Sequence, residues 1–294
     1  MTRARAHAKI NLFLHITGRR PNGYHELDSL AVFADTADEL ALETKSGKPG
    51  DVTLSIEGPF GEGLRAESDN LVLRAAAALR EHAPASAQLA PLHVTLTKNL
   101  PVASGIGGGS ADAACALRLI AQAWALPEID LAPLAARLGA DVPVCLAQEP
   151  ARMLGIGEIL KPAPSLPPVA MLLVNPGTAV PTPAIFKAWR ESGADFRPSP
   201  DLPRCWDDFG AMIADLRQTS NDLQGPAISL YPVIGEVLNA LEAQPGCGFA
   251  RMSGSGATCF GLFDNEAAAQ DAARILSRSE WWAAAGPLHN SASI

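Results

Sequence analysis

The chain has 294 residues, of which 48% are apolar, 18% charged and 5% aromatic, and its formal net charge is −8. This composition is typical of a globular protein with a substantial core, and it excludes disordered, collagen-like and coiled-coil chains. An acidic chain has no general attraction for nucleic acid, so an anionic ligand needs a local arrangement of donors. The length fits one large domain or two of ordinary size, which favours a ligand cleft between two lobes.

Cysteine usage and the N-terminal sequence indicate a cytoplasmic protein. The five cysteines are an odd number without a C-x-x-C pair, which argues against a disulfide framework and a structural zinc site. Residues 1–16 place Lys9, Asn11 and His15 inside their apolar stretch, so they do not form the core of a signal peptide. The apolar run 169–174 is too short to span a bilayer. We therefore expect neither a membrane nor a nucleic-acid partner.

The first half of the chain begins with strands. From Ala8 to Ile16 apolar residues alternate with others, which is the period of a half-buried strand and puts Lys9 and Asn11 on one face. A turn follows at residues 20–23. The next short runs predict an antiparallel meander of strands, at 27–34, 38–44 and 52–57.

Helices follow, with one more strand between them. Asp69-Asn70 is predicted to cap an alanine-rich helix that extends to about residue 81, and His93 to Lys98 reads as a strand. A glycine-rich turn then leads into a helix from Ser110 to Trp124. A further helix is expected near 128–138.

The second half is mostly helical. Residues 161–168 hold four prolines and are the best linker candidate, followed by a strand at Val169 to Val174. Helices are expected at 182–191, 206–218, 231–243 and 265–278. A glycine turn followed by a strand is expected at 253–263. Because strands and helices do not alternate regularly, the pattern favours an α+β fold. We divide it into an N-terminal domain of residues 1–158 and a C-terminal domain of residues 159–294.

The strongest local signal is a glycine-rich run that leads into the helix beginning near Ser110. Its glycines, at positions 105, 107, 108 and 109, remove side chains that would hold a ligand off the backbone. Backbone amides at a helix N-terminus form an anion site, particularly for phosphate. The run lacks the G-K-[ST] ending of a Walker loop, and Ser110 stands where the last glycine of G-x-G-x-x-G belongs. The alternative is a flexible turn with a serine cap.

This run, P-V-A-S-G-I-G-G-G-S-A-D-A-A at residues 101–114, resembles the phosphate loop of the GHMP kinases, a superfamily of small-molecule kinases. Further matching segments follow in the expected order and are A-K-I-N-L at 8–12, G-R-R-P-N-G-Y-H at 18–25, D-N-L at 69–71, G-A-D-V-P at 139–143, P-T-P at 181–183 with Phe186, N-D-L at 221–223 and S-G-S-G-A-T at 253–258. Within the superfamily, K-x-N, G-Y-H and G-x-G-G-G-S together resemble the branch that phosphorylates a CDP-linked polyol. The resemblance covers residue 8 to about residue 263.

The resemblance implies a two-lobed GHMP kinase fold with the active site in the cleft between the lobes. It implies an enzyme that uses ATP and Mg²⁺ to phosphorylate the 2-hydroxyl of a CDP-linked methylerythritol, in the non-mevalonate route to isoprenoid precursors, as a monomer or homodimer. Two alternatives stay open: another GHMP kinase, acting on a sugar, homoserine or mevalonate, and a nucleotide-binding module without catalysis.

For the reacting groups, the resemblance implies that Asp141 is the general base that takes the proton from the acceptor hydroxyl. Phosphoryl transfer needs chiefly positioning and charge stabilisation, so a carboxylate is an adequate base. Lys9 would support that proton transfer with its positive charge, and Asn11 would orient the hydroxyl. The plain alternatives are a helix N-cap for Asp141 and an exposed strand face for Lys9.

For the acceptor, the resemblance implies that Tyr24 stacks on the cytosine with Phe186 on the other face, while His25 hydrogen-bonds the edge of the base. Thr182 would border the methylerythritol end. The turn at Gly254-Ser255-Gly256 is either a tight turn or a second cluster of amides facing the substrate diphosphate. A mere loop tip is the alternative for Tyr24 and His25.

For the nucleotide, the resemblance implies a binding loop that consists of Pro101, Val102, Ala103, Ser104, Gly105, Ile106, Gly107, Gly108, Gly109, Ser110 and Ala111. Ser110 could offer its hydroxyl to the β-phosphate or to Mg²⁺, and Asn70 and Lys98 could line the adenosine. The plain expectations are a solvated strand end for Lys98 and a helix-dipole partner for Asp112. Because Ala103 and Ser104 carry Cβ atoms, left-handed backbone is not expected at either position.

Overall fold

A computed structural model of the chain describes residues 1–66, 69–277 and 280–289. The strands in chain order are β1 (Thr2–Arg19), β2 (His25–Thr44), β3 (Val52–Glu57), β4 (Leu92–Thr97), β5 (Ala151–Gly155), β6 (Ile159–Pro162), β7 (Ala170–Asn175), β8 (Cys247–Met252), β9 (Cys259–Phe263) and β10 (Trp282–Pro287). The helices are α1 (Leu71–His82), α2 (Gly108–Ala123), α3 (Leu131–Leu138), α4 (Val142–Ala147), α5 (Thr182–Glu191), α6 (Phe209–Leu216), α7 (Gln224–Leu230), α8 (Val233–Glu242) and α9 (Glu266–Leu276), with a 3₁₀ helix at Glu62–Ala66.

The chain divides into two compact units, each built from separate stretches of sequence. The first contains Met1–Ala8, Ala37–Val102 and Gly107–Gln148, and the second contains Lys9–Thr36, Ala103–Ile106 and the described residues from Glu149 onward. The long strands β1 and β2 contribute residues to both units. The predicted division into family domains at 158/159 stays a prediction.

The first unit combines a small sheet with packed helices. The C-terminal part of β2 pairs antiparallel with β4, from Glu39↔Thr97 to Thr44↔Leu92, and β3 pairs parallel with β4. The predicted antiparallel meander is therefore wrong, because β4 lies between β2 and β3. Helix α1 connects β3 to β4, and a connection of that length allows two strands to pair in parallel. Helix α2 is buried along most of its length and packs against α1, α3 and α4.

The second unit contains an antiparallel sheet in the order β10-β7-β9-β8. The strand β7 is buried along its whole length, which matches the continuous apolar sequence of its first five residues. One core cluster joins this sheet to apolar residues of β1 and of α5, α8 and α9, including Leu14, Ile185, Val237 and Ala272. In the same unit, β2 pairs antiparallel with β5 and β5 with β6.

Short polar side chains cap the starts of four of the described helices. Asn70 caps α1 as predicted, since its side chain accepts a hydrogen bond from the Val72 amide at 2.9 Å. Asp130, Asp208 and Asn265 cap α3, α6 and α9 in the same way. Helix α9 ends at Leu276, and the predicted end at residue 278 lies outside the described residues.

Other differences from the predicted elements have local causes. The runs 27–34 and 38–44 form one long strand, β2. The predicted linker 161–168 begins inside β6, where Pro162 pairs with Ala151. Because β6 ends its sheet, a proline there breaks no ladder on its outer side. Within the described residues, no helix combines the length and apolar character needed to cross a bilayer.

Candidate active site

Lys9 and Asn11 lie on one face of β1, as the alternation predicts, and both are buried. The alternative of an exposed strand face for Lys9 is therefore wrong. The Lys9 ammonium donates to Asn11 Oδ1 at 2.9 Å, and Asn11 Nδ2 donates to Ser29 Oγ at 2.7 Å. The Ser29 hydroxyl donates in turn to the Phe13 carbonyl at 2.6 Å. Both ends of the Asn11 amide are thus occupied, so its orientation and that of the ammonium are fixed together.

The glycine turn at 253–258 lies against the same strand. Ser253 Oγ accepts a hydrogen bond from the backbone amide of Asn11 at 3.1 Å and donates one to the Gly105 carbonyl at 3.0 Å. The Thr258 amide donates to the Ser104 carbonyl at 3.0 Å. The second unit therefore brings residues of the glycine-rich loop, the turn 253–258 and β1 into one hydrogen-bonded group.

Two glycines allow this close approach. A Cβ on Gly105 would lie 2.5 Å from the Ser253 carbonyl oxygen, and a Cβ on Gly254 would lie 2.7 Å from the Gly105 carbonyl oxygen. Gly105 also has φ of +77°, a left-handed value that side chains disfavour. Any side chain at either position would force the two segments apart.

The backbone of the loop differs from expectation at two places. Ala103 has φ of +50°, so the expectation against left-handed backbone is wrong there. Helix α2 begins at Gly108 after Gly107, whose φ is +65° and which has no side chain that could cap the helix. The serine cap at Ser110 is therefore also wrong. The first amides of a helix lack partners inside it, so the amides of residues 108–110 are arranged as anion donors.

Asp141 occupies the N-cap position of α4, but its side chain makes no capping hydrogen bond. The interpretation of Asp141 as a helix cap is thus correct for its position in the chain, but the expected capping hydrogen bond is not formed. Asp141 belongs to the first unit and Lys9 to the second, so the interaction between them stays a prediction.

A buried ionic cluster lies in the first unit beside the start of α2. The Lys98 ammonium donates to Asp38 Oδ2 and, at 2.7 Å, to Asp112 Oδ2, and all three side chains are at most 5% exposed. Two expectations are therefore wrong: Lys98 is not a solvated strand end, and Asp112 lies beyond the first turn of α2 and is an ion-pair partner rather than a helix-dipole partner. Burial raises the pKa of Asp112 to about 7, although the Lys98 charge opposes that shift.

This cluster leaves part of the ammonium for other contacts. An ammonium has three N–H donors, and two of those on Lys98 go to the carboxylates. The side-chain oxygen of Asn70 is engaged in capping α1. The expected contacts of Asn70 and Lys98 with adenosine stay predictions.

The expected cytidine residues lie in the second unit. The His25 ring stacks on Phe186, with centroids 4.9 Å apart and planes at 17°, and meets Trp189 edge-on at 5.4 Å. Tyr24 is 61% exposed. A face of the Phe186 ring is thus covered by His25, whereas Phe186 was expected to face the base opposite Tyr24.

For the edge of the His25 ring, the expectation is a hydrogen bond to the substrate base. Among the residues that the structure describes, buried Nε2 of His25 has no hydrogen-bond partner. Burial lowers the pKa of His25, and the charges of Arg19 and Arg190 lower it further. A neutral ring with an unsatisfied buried nitrogen suits a polar ligand edge better than a merely exposed loop tip.

The remaining predicted residue, Thr182, begins α5 and lies next to the turn 253–258. Its hydroxyl is 2.8 Å from Ser255 Oγ. Asn221 braces the same turn by donating to the carbonyls of Met252 and Gly254, both at 2.8 Å. Sequence reasoning gave no individual role to Asn221 or Ser29, and for Ser29 no local motif would have revealed one.

Comparison with known proteins places this arrangement in one family. Residues 70–149 match the model of the GHMP kinases N terminal domain, and residues 200–281 match the model of the GHMP kinases C terminal domain. The chain belongs to the GHMP kinase family. This GHMP kinase has the predicted α+β fold and is an ATP-dependent small-molecule kinase.

Individual relatives are similar to this GHMP kinase over nearly their whole length. A protein of Gluconacetobacter diazotrophicus named 4-diphosphocytidyl-2-C-methyl-D-erythritol kinase is 57% identical over 97% of this chain and 94% of its own. A protein of Granulibacter bethesdensis with the same name is 51% identical, over 98% and 95%. A crystal structure of 4-(cytidine 5'-diphospho)-2C-methyl-D-erythritol kinase matches with a TM-score of 0.79 at 36% identity, over 99% of this chain and all of that one.

Proposed function

We propose that this GHMP kinase transfers the γ-phosphoryl group of ATP to the 2-hydroxyl of 4-diphosphocytidyl-2-C-methyl-D-erythritol, a step of non-mevalonate isoprenoid precursor synthesis. The observation that carries the proposal is similarity along almost the entire chain, at 57% identity, to a kinase named for that substrate. We further propose that it works in the cytoplasm as a monomer or homodimer, and without nucleic acid or membrane partners.

On the nucleotide side, the loop of residues 101–111 binds the phosphates of ATP through its backbone amides. The start of α2 supports this role, because its first amides follow a glycine whose backbone is left-handed and whose position lacks a side chain. A Mg²⁺ ion bound with ATP would neutralise phosphate charge. The Ser110 hydroxyl, half-buried in the first turn of α2, is an oxygen ligand of the kind that Mg²⁺ takes.

At the acceptor hydroxyl, Asp141 takes the proton and Lys9 stabilises the negative charge that develops on the oxygen. The first role is supported by the chemistry of Asp141, because a carboxylate is an adequate base where phosphoryl transfer needs chiefly positioning and charge stabilisation. The second is supported by the fixed geometry of Lys9, Asn11 and Ser29, because a preorganised ammonium costs no reorganisation when charge develops. Asn11 orients the hydroxyl, and Thr182 borders the methylerythritol end.

For the cytidine, the polar edge of His25 provides selectivity and aromatic surfaces provide stacking. The buried, unpartnered Nε2 supports this role within the described residues. Exposed Tyr24 offers a flat face, and base stacking on an aromatic side chain is worth about 1–3 kcal/mol. Because stacking accepts any base, selectivity for cytosine depends on the histidine edge.

The decisive experiment is an ADP-release assay with a panel of acceptors. The panel contains the CDP-linked methylerythritol, free methylerythritol, the UDP-linked analogue, homoserine, mevalonate and galactose. We expect turnover with the CDP-linked acceptor and at least about 100-fold lower kcat/KM with the others. The acceptors without a nucleotide lose its binding energy, and the UDP-linked analogue leaves the polar edge of His25 without its matching base edge. Preferred turnover of a free polyol or amino acid would assign the chain to another GHMP activity, and ATP binding without turnover would indicate a non-catalytic module.

A further inference from the structure

The carboxylate of Asp38 holds the chain segment that enters the phosphate loop. Its Oδ1 accepts from the backbone amides of Asn99, at 2.6 Å, and Leu100, at 2.8 Å. The Asn99 side chain also donates to the Ala37 carbonyl at 3.2 Å. Leu100 is followed directly by Pro101, the first residue of the loop. The entry to the loop is therefore fixed against the C-terminal part of β2.

The second oxygen of Asp38 reaches the other end of the loop through Lys98. Oδ2 accepts from the Lys98 ammonium, which also donates to Asp112 in the first turns of α2. A Cβ on Gly108 would lie 3.5 Å from Lys98 Nζ and 3.7 Å from Asp38 Oδ2. The cluster thus lies directly beside the residue with which the helix begins.

Burying these three charged groups costs desolvation free energy, so we infer that the cluster has a role other than stabilising the fold. Two carboxylates share one ammonium, all are buried, and Asp112 Oδ1 has no hydrogen-bond partner among the described residues. A buried ion pair generally stabilises no better than apolar side chains of similar volume. Directional bonds, in contrast, fix the backbone at both ends of the loop in a way that apolar packing cannot.

We propose that Asp38 is a positioning residue for ATP binding, which sets the phosphate loop by fixing its entry through two backbone amides and its helix through Lys98 and Asp112. It contacts neither substrate in this role. The inference rests on the proposed function, since it takes the loop as the ATP site. It differs from the roles expected for Lys98 and Asn70, which concern direct contact with adenosine.

The test compares ADP affinity in Asp38→Asn and Asp38→Ala by calorimetry. Asparagine keeps an oxygen for the Asn99 and Leu100 amides but turns an N–H donor toward the Lys98 ammonium, so only the link to α2 is broken. Alanine removes both links. We expect Asp38→Asn to weaken ADP about tenfold and Asp38→Ala to weaken it further, while affinity for the CDP-linked acceptor stays within about twofold.

The matched control is Asp28→Asn, which changes another fully buried carboxylate in an ion pair, with Arg152 at 2.7 Å in the second unit. Where Asp28→Asn lowers the melting temperature by about as much as Asp38→Asn does, it should still keep wild-type ADP affinity. Unchanged ADP affinity in folded Asp38→Asn, or an equal loss in Asp28→Asn, would overturn the inference. If Asp38→Ala does not fold, Asp38→Asn alone decides. Wild-type protein that fails to bind ADP would instead refute the proposed function itself.

Discussion

At the scale of single residues, Asp141 and Asp130 occupy the same kind of position with different side-chain roles. Both stand at helix N-caps, but Asp130 accepts a hydrogen bond from the Ala132 amide at 3.0 Å whereas Asp141 makes no such bond. A carboxylate that is not used for capping contributes little to the helix that follows it. The contrast separates a structural aspartate from a proposed general base within one chain.

Replacement of Asp141 with Asn should abolish most turnover and leave stability nearly unchanged. The amide cannot accept the hydroxyl proton, and loss of a general base typically lowers kcat by about 10²- to 10⁴-fold. Steady-state kinetics and thermal unfolding measure the two effects. Asp130→Asn is the control, because asparagine is an equally good cap and kcat should not change. Near-normal kcat in Asp141→Asn would remove the residue from the reaction.

Residue roles were predictable where they depend on neighbours in sequence. The alternation from Ala8 to Ile16 predicted the shared face of Lys9 and Asn11, and Asn70 was recognisable as a cap. The partners of Lys98 were not predictable, because Asp38 is sixty positions away in the chain. The local sequence around a lysine at the end of a strand is the same whether its ammonium is solvated or paired with a buried carboxylate.

At the scale of elements, the glycine-rich loop and the turn 253–258 approach each other more closely than side chains permit. Gly105→Ala should therefore destabilise the protein strongly and weaken ADP binding. Its Cβ would meet backbone atoms of Ser253 and Gly256 at 2.5–2.8 Å, and neither segment can yield as a flexible side chain would. Urea unfolding and calorimetry measure the two losses.

Gly177→Ala controls for backbone strain alone. Gly177 has φ of +74°, close to the +77° of Gly105, but among the described residues no atom beyond its two chain neighbours lies within 4 Å of its would-be Cβ. Left-handed backbone at alanine costs about 1–2 kcal/mol, which both variants share. The excess loss in Gly105→Ala measures the close approach. Equal losses would mean that the two segments separate without cost.

The elements themselves were predictable to different degrees. Strand β3 and helix α5 match their predicted bounds, since their patterns are complete within a few residues. The partner of β3 was not predictable, because whether β3 pairs with β4 in parallel depends on the connection through α1 and not on the sequence of either strand. The short strand β6 escaped prediction because its last two residues belong to the proline-rich run that resembled a linker, and the five residues of β5 show no clear alternation.

At the scale of the whole molecule, the buried cluster makes folding stability depend on pH. The pKa of Asp112 is about 7 in the folded chain, above the value of an ordinary aspartate, with Lys98 and Asp38 facing it. Between about pH 4 and pH 7 the folded state holds a proton that the unfolded state has lost. Stability therefore falls as pH rises through this window, by at most about 1.4 kcal/mol per pH unit.

Asp112→Asn should remove this pH dependence. The free energy of unfolding of the variant, relative to wild type, is expected to rise from pH 5 to pH 7 and to level off above pH 8. Urea unfolding at a series of pH values measures the difference. Parallel curves for the two proteins would show that the Asp112 carboxyl titrates in the same range whether the chain is folded or unfolded.

The sheet order β10-β7-β9-β8 also constrains how the chain folds as it leaves the ribosome. Strand β7 pairs on one side with β9 and on the other with β10, which ends at Pro287. A bacterial or eukaryotic ribosome adds about 5–20 residues per second. On the order of 5–20 s therefore passes between the synthesis of β7 and the synthesis of both strands that pair with it. Until β9 is made, β7, which is apolar except for Asn175, has two open edges, and until β10 is made it has one. Unpaired strand edges and exposed apolar surface make such a chain prone to aggregation. The first unit, whose residues all precede residue 149, can be complete before β7 is even synthesised.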